Sequence, residues 1–269
     1  MIKVNNKVVE IKRFPDGTLN IKGDSSIANS NVDIAWHYEN DSEFMAVTFL
    51  TRFYQAYGND VFLFLPYVPN GRMDRQNNPD DIFSMKYFGE LINSLGFKRV
   101  DVLDVHSSVS YAVIKNCCVH NSSDIVRHVI HNICISDSGE TPIMFYPDEG
   151  AVKRYSKDIN IPYAFGMKNR DWATGEILGL DILGLSEKQI KGKNILIRDD
   201  ICSRGGTFYH SAKKLKELGA NKIYLFVTHC ENTILEGELL TSGLIENVFT
   251  TDSIFTKEHE KISVYKSEV

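Results

Sequence analysis

One run of the sequence concentrates groups that could do chemistry: Asp199 and Asp200, then Ser203 and Arg204, then Gly205, Gly206 and Thr207 at the head of an amphipathic segment. Asn194–Ile197 reads as a short buried strand that delivers them. Glycines let backbone amides curl around an anion, and a helix N-terminus adds partial positive charge. Thr207 can cap that helix or donate its hydroxyl to a phosphate. The carboxylate pair can accept from sugar hydroxyls directly or act through Mg²⁺. A glycine pair in a strand-to-helix turn is common without any ligand, and G-G-T alone is a weak signal. The acid pair five residues before the glycines makes a sugar-phosphate site the better reading.

A second set falls on three successive strand ends. Val61–Tyr67 runs into a loop bearing Arg72 and Arg75, Val100–Val105 leads to His106, and Thr141–Tyr146 leads to Asp148. Taken singly these are a surface arginine pair, a core histidine and a turn aspartate. Taken together, guanidinium groups suit a polyphosphate, and imidazole with carboxylate suits a hydrated divalent cation.

Positioning these groups requires alternating strands and helices. A strand at Ile34–Tyr38 precedes a helix capped by Asp41 and closed by Gly58. Pro79–Leu95 carries Ile82, Met85, Phe88, Leu91 and Ile92 on one helical stripe, and Ser122 or Ser123 caps a helix through Ile133. In the second half Ala151–Lys157 reads as helix, with strands at Tyr163–Met167 and Glu176–Leu183. Thr207–Leu218 is a helix ended by Gly219, followed by a strand at Ile223–Thr228, a short helix at Leu235–Leu240 and a strand at Asn247–Thr250. The expectation is an α/β fold of two domains, 1–146 and 147–269, each a central, mainly parallel sheet flanked by helices, with a cleft between them. Such sheets bind ligands at the carboxyl ends of their strands.

Composition bounds the function. The 269 residues carry 30 Lys and Arg against 35 Asp and Glu, a net charge of −5, with 43% apolar content. A chain of this size needs no disulfide or metal staple, and it is neither disordered nor fibrous. Mild acidity argues against a non-specific nucleic-acid binder. The most apolar run, Val61–Val68, is far shorter than the ~20 residues that span a bilayer. Met1–Lys7 carries no apolar signal core. Five cysteines without C-x-x-C spacing read as reduced thiols, so a cytoplasmic location is expected.

The pattern Asp199–Thr207 resembles the sugar-phosphate loop of the phosphoribosyltransferase superfamily. Further motifs, in order along nearly the whole chain, resemble the ribose-phosphate diphosphokinases, or PRPP synthases. Arg13–Gly17 is similar to R-F-x-D-G-E, and Pro66–Arg75 to P-Y-x-x-x-A-R-Q-D-R. Asp104–Ser107 is similar to D-L-H-S, Pro147–Arg154 to P-D-x-G-x-V-x-R, and Met167–Arg170 to the K-R-R catalytic flexible loop. The resemblance implies two phosphoribosyltransferase-like domains and transfer of the β,γ-diphosphoryl group of ATP to the anomeric hydroxyl of a ribose 5-phosphate group, with AMP released. It implies that Phe14 and Asp16 contact adenine from a neighbouring subunit of a homo-oligomer. Arg72, Arg75 and His106 would lie on the ATP side, and His106 and Asp148 would position Mg²⁺. Lys168 and Arg170 would be catalytic, Asp199 and Asp200 would hold the ribose, and Ser203 to Thr207 would hold its phosphate.

Two other classes compete: a non-catalytic regulatory homologue and a PRPP-using phosphoribosyltransferase. Retention of Lys168, Arg170, His106 and Asp148 speaks against the first, and the N-terminal motifs speak against the second. The chain departs from the family at Thr18, Met73, Ser203 and Arg204. The last two replace an acid and a threonine, a local shift of about +2 (one carboxylate lost, one guanidinium gained). Extra positive charge there suits an acceptor with a 5-diphosphate ester, such as ADP-ribose, whose product could feed NAD synthesis. The chain is also short for the family at both ends, which makes a dimer the minimum assembly and a dimer-based hexamer the fuller one.

Overall fold

The computed structural model describes residues 1–137, 139–170 and 177–267, the side chains of 168–170 and 177–179 excepted. Two compact units form, Met1–Asn121 together with Ser267, and Ser122–Lys266. The sequence reading divides the chain after Tyr146, 25 residues too late (146 − 121). The strand ending at Tyr146 hydrogen-bonds into the second sheet, and the helix before it packs on that same sheet.

The first unit contains β1 (Ile2–Val4), β2 (Lys7–Val8), β3 (Ile11–Arg13), β4 (Leu19–Ile21), β5 (Asn31–Trp36), α1 (Glu43–Ala56), β6 (Asp60–Leu65), α2 (Ser84–Ser94), β7 (Val100–Leu103), α3 (Ser108–Val113) and β8 (Cys117–His120). Its sheet runs β2-β1-β5-β6-β7-β8, parallel from β5 onward, and β3 with β4 forms a separate hairpin. Alternation places Val32, Ile34 and Trp36 of β5 and Val61, Leu63 and Leu65 of β6 in one core. Ala46, Val47 and Leu50 of α1 and Met85, Phe88 and Ile92 of α2 complete it, with Val109 and Val113 of α3 at its margin. Within this unit the helices therefore gather on one sheet face. The other face carries Lys3, Ala35, Phe64, Asp101 and Cys118, which stand in register across five strands.

The second unit contains α4 (Ser123–Ser136), β9 (Ile143–Tyr146), α5 (Glu149–Tyr155), β10 (Tyr163–Arg170), β11 (Ile177–Leu183), α6 (Glu187–Ile190), β12 (Ile195–Cys202), α7 (Gly206–Glu217), β13 (Ile223–Cys230), a 3₁₀ turn at Asn232–Glu236, β14 (Asn247–Thr251) and β15 (Ile262–Tyr265). The sheet order is β11-β10-β9-β12-β13-β14-β15, parallel except for β10 with β11. Here both faces are covered. Ile195 and Ile197 of β12 pack with Phe208, Ala212 and Leu215 of α7, while Leu196 packs with Val126 of α4 and Tyr155 of α5.

Several boundaries differ from expectation, three of them the most. α2 begins at Ser84 rather than Pro79, because the Asp81 carboxylate accepts the Asn77 and Asn78 amides and folds that stretch into a turn. β12 is eight residues long rather than four, so the acid pair lies inside the strand. The short helix expected at Leu235–Leu240 is the 3₁₀ turn at Asn232–Glu236. Among the described residues no helix is long and apolar enough to cross a membrane.

Candidate functional site

In the second sheet the chain builds β9, β10 and β11 outward on one side and then crosses back to lay β12 on the other. The strand order thus reverses between β9 and β12, the position where open α/β sheets bind ligands. Asp148 follows β9 and caps α5, its Oδ1 accepting the Ala151 amide at 3.0 Å. Asp199 and Asp200 lie on the neighbouring β12.

Strict alternation would send Asp199 and Asp200 to opposite faces. Ile195, Ile197 and Cys202 share one core, so the alternation slips by one residue across the acid pair. One guanidinium reaches both: Arg154 Nη2 donates to Asp199 Oδ1 at 3.0 Å and to Asp200 Oδ1 at 2.7 Å. Burial pushes the Asp199 carboxyl well above its ordinary range, the Asp200 charge adds to this, and Arg154 offsets only part. Two carboxylates facing one guanidinium leave an excess of negative charge, which favours a bound hydroxyl donor or a cation. Arg154 stands in a motif quoted above without a role, and the structure makes it the residue that positions the pair. Its place in the last turn of α5, downstream of the cap, was the available signal.

The loop after β12 has a shape fixed by glycine. Gly205 is the N-cap of α7 with φ of +81°, and a Cβ there would lie 2.9 Å from Leu239 Cδ2. At Gly206 no atom lies within 4 Å of a would-be Cβ, so the helix start is open. Behind the loop, a Cβ on Gly237 would fall 1.9 Å from the Arg204 carbonyl oxygen. Thr207 is exposed at the first turn. Gly205→Ala should destabilise the fold by about 1–2 kcal/mol from the left-handed backbone alone. Thermal denaturation should show a lower melting point, and phosphate affinity should fall because Leu239 must move.

The charge argument at Ser203 and Arg204 changes in the structure. Ser203 Oγ donates to Glu231 Oε2 at 2.7 Å, and Thr233 Oγ1 donates to the same oxygen at 3.1 Å. Arg204 Nη2 pairs with Glu236 Oε2 at 3.2 Å, with both side chains exposed. The acid missing at 203 is supplied by Glu231 at the end of β13, and Glu236 faces the added guanidinium. The local shift is therefore smaller than the sequence comparison suggested.

In the first unit the loops after β6 and β7 meet. Asp74 is buried; burial would raise its carboxyl, but hydrogen bonds from the Ser107 hydroxyl and Arg75, with the nearby His106, hold it below its ordinary value. Arg75 Nε donates to Asp74 Oδ1 at 2.9 Å. A Cβ on Gly71 would stand 3.8 Å from His106 Cβ, so the loop bearing Arg72 lies against the loop bearing His106. Asp104 has φ of +45° and its amide donates to the His120 carbonyl, turning the chain sharply at the strand end. His106 and Arg72 are exposed, so His106 is not a core histidine.

Phe14 and Asp16 stand apart on the β3–β4 hairpin. Phe14 is 51% exposed at the tip, which excludes a core role. Asp16 Oδ1 accepts the Thr18 amide and hydroxyl at 2.9 and 2.7 Å, so Thr18 braces the turn where the family pattern has glutamate. Lys168 and Arg170 lie on β10, where Lys168 pairs with Leu180 and the register shifts between Asn169 and Arg170. Their side chains lie outside the described residues. The expected Mg²⁺ residues, His106 and Asp148, fall in different units. Carboxylate oxygens with one imidazole are nonetheless a donor set that suits Mg²⁺ carried on a polyphosphate.

No family model matches the chain. It is 26% identical to the ribose-phosphate pyrophosphokinase of Saccharolobus solfataricus over 100% of its own length and 90% of the relative's. The enzyme of the same name from Thermoplasma acidophilum is 28% identical over 96% of this chain and 87% of the relative. That from Campylobacter jejuni is 27% identical over 92% and 80%. The chain is a homologue of the ribose-phosphate pyrophosphokinases. The fold agrees: phosphoribosylpyrophosphate synthetase from Mycobacterium smegmatis superposes with a TM-score of 0.77 at 17% identity, covering 96% of this chain and 86% of that one. In this homologue the acid pair with its glycine loop and the loops bearing Arg72, Arg75 and His106 are the candidate sites.

Proposed function

We propose that the protein is an ATP-dependent diphosphotransferase acting on a ribose 5-phosphate moiety. The anomeric oxygen attacks the β-phosphorus of ATP, the bond from that phosphorus to the α,β-bridging oxygen breaks, AMP leaves, and the hydroxyl proton is released. The observation that carries this reading is the acid pair under Arg154, Asp200 buried and Asp199 partly so, beside an open glycine cradle. Asp199 and Asp200 accept hydrogen bonds from the ribose hydroxyls, and the amides of Ser203 to Thr207 take the 5-phosphate. Arg72, Arg75 and His106 bind ATP phosphates. Phe14 and Asp16, on an exposed hairpin, reach the adenine of ATP on a neighbouring copy, which makes the active form a homo-oligomer. Lys168 and Arg170 neutralise charge that develops on the transferred group. Mg²⁺, held by His106 and Asp148, would supply further charge neutralisation. A metabolic enzyme of this kind would work in the cytoplasm.

The experiment is AMP release from ATP with Mg²⁺ and a panel of acceptors. Acceptor-dependent AMP is expected; its absence defeats the reading. Consumption of PRPP with a base and without ATP would indicate a phosphoribosyltransferase instead.

A second reading concerns the acceptor. Arg204 is exposed, and an exposed ion pair such as that with Glu236 contributes little, so the guanidinium can turn to a second phosphate. This favours ADP-ribose, giving ADP-ribose 1-diphosphate, a precursor from which NAD could be rebuilt. Arg204→Ala should lower kcat/KM for ADP-ribose about tenfold, the low end for a charged hydrogen bond because the side chain is exposed, with little change for ribose 5-phosphate. A wild-type kcat/KM for ribose 5-phosphate well above that for ADP-ribose would sink it.

A further inference from the structure

On the face of the first sheet that its own helices leave open, β7 and the edge strand β8 bring together three side chains with no part in the chemistry above. Asp101 and Cys118 are register partners, and His120 lies two residues beyond Cys118, so all three project from one face. One ligand atom from each lies within 4.8 Å of the other two. His120 Nε2 and Asp101 Oδ1 are already 2.8 Å apart. Asp101 and His120 also line a cavity of about 360 Å³, whose walls include Phe62, Phe64, His37 and Arg99.

We propose that Asp101, Cys118 and His120 form a binding site for a borderline divalent metal ion of the Zn²⁺ type. Thiolate, imidazole and carboxylate are the donors such an ion prefers, and a thiolate disfavours Mg²⁺. The ion takes the place of the proton between His120 and Asp101. Cys118 binds as thiolate and gives its proton to solvent, and water from the cavity fills the fourth position. The two anionic ligands balance the double positive charge. Arg99 Nε donates to the other Asp101 oxygen at 2.7 Å and sits over the Phe62 ring, so the carboxylate is aimed before any ion arrives. Cys118 is exposed, which gives the ion access, whereas Cys117 turns toward the core. Occupancy would tie the edge strand to its neighbour. It would also fix His120, whose carbonyl holds the Asp104 amide at the head of the loop that carries His106.

The test uses the full chain, treated with chelator and kept reduced. Added Co²⁺ should give a stoichiometric cobalt–thiolate charge-transfer band in the near ultraviolet, displaced by Zn²⁺. The band should be lost in Cys118→Ser and kept in Cys117→Ser. Zn²⁺ should raise the melting temperature of the wild type and not that of His120→Ala. Absence of the band, or its survival in Cys118→Ser, overturns the site. Neither result depends on turnover of ATP.

Discussion

Lys168→Ala should lower kcat by at least about 10³-fold, the scale on which a cation at the transferred group acts in phosphoryl-type transfer. The melting temperature should barely change. Attack on the β-phosphorus spreads charge over the transferring oxygens, and an ammonium placed there lowers the barrier only while that charge is present. kcat should therefore fall much more than KM for ATP rises. The backbone pairing of Lys168 with Leu180 does not use the side chain, so alanine leaves the β10–β11 ribbon intact. Lys168→Arg should recover part of the rate. Turnover near the wild-type value in the alanine variant would remove Lys168 from the mechanism.

Asp199→Asn should stabilise the ligand-free protein while cutting kcat/KM for the sugar acceptor by about 10²-fold, the equivalent of one hydrogen bond to a charged group. The two effects have one cause. The folded state raises the Asp199 carboxyl above its ordinary range, through burial first and the Asp200 charge second. Over the window between the unfolded and the folded values, the folded protein therefore holds a proton that the unfolded chain has released. Stability from this group is fully present below that window and is lost as pH rises through the folded value. Asparagine removes the repulsion at neutral pH, and each kcal/mol relieved should raise the melting temperature by about 2–4 °C. The wild type should gain on the variant as pH is lowered. A melting point that falls in Asp199→Asn at neutral pH would show that Arg154 already balances the pair.

Much of the second unit was legible because its signals are local. Asp148 after a strand and Gly205 with Gly206 at a helix start need only neighbours in sequence to be placed, though the cap that Asp148 makes on α5 was seen only in the structure. Boundaries were lost where a side chain far down the chain, or a local competitor, decides. The carboxylates of β12 suggested a loop, yet Ile201 and Cys202 continue the ladder against His229 and Cys230 of β13. The Asp81 side chain turns back to the Asn77 and Asn78 amides and so keeps Pro79 to Asp81 out of the helix that the apolar stripe from Ile82 suggested. The edge strand Cys117–His120 shows no alternation in the sequence, because only its neighbour β7 gives it register. Arg154 was in view but lacked a partner until the fold brought Asp199 within reach, 45 residues along the chain. Glu231 and Glu236 lie 28 and 32 residues from the side chains they meet, so no local comparison could weigh them against Ser203 and Arg204.

The close approach of Gly237 to the Arg204 carbonyl separates two properties of the phosphate loop. Its main-chain path is clamped from behind by Gly237 and Leu239, bent by Gly205 and tied by the Ser203 hydroxyl to Glu231, whereas the Arg204 side chain is exposed and meets Glu236 at the surface. Position 204 is thus an interchangeable fitting on a rigid mount. Substitution there should alter the charge at the mouth of the loop while the main-chain amides stay where they are. On the function proposed above, a lineage could change which sugar phosphate it accepts by a single substitution at 204 without passing through a form that binds none.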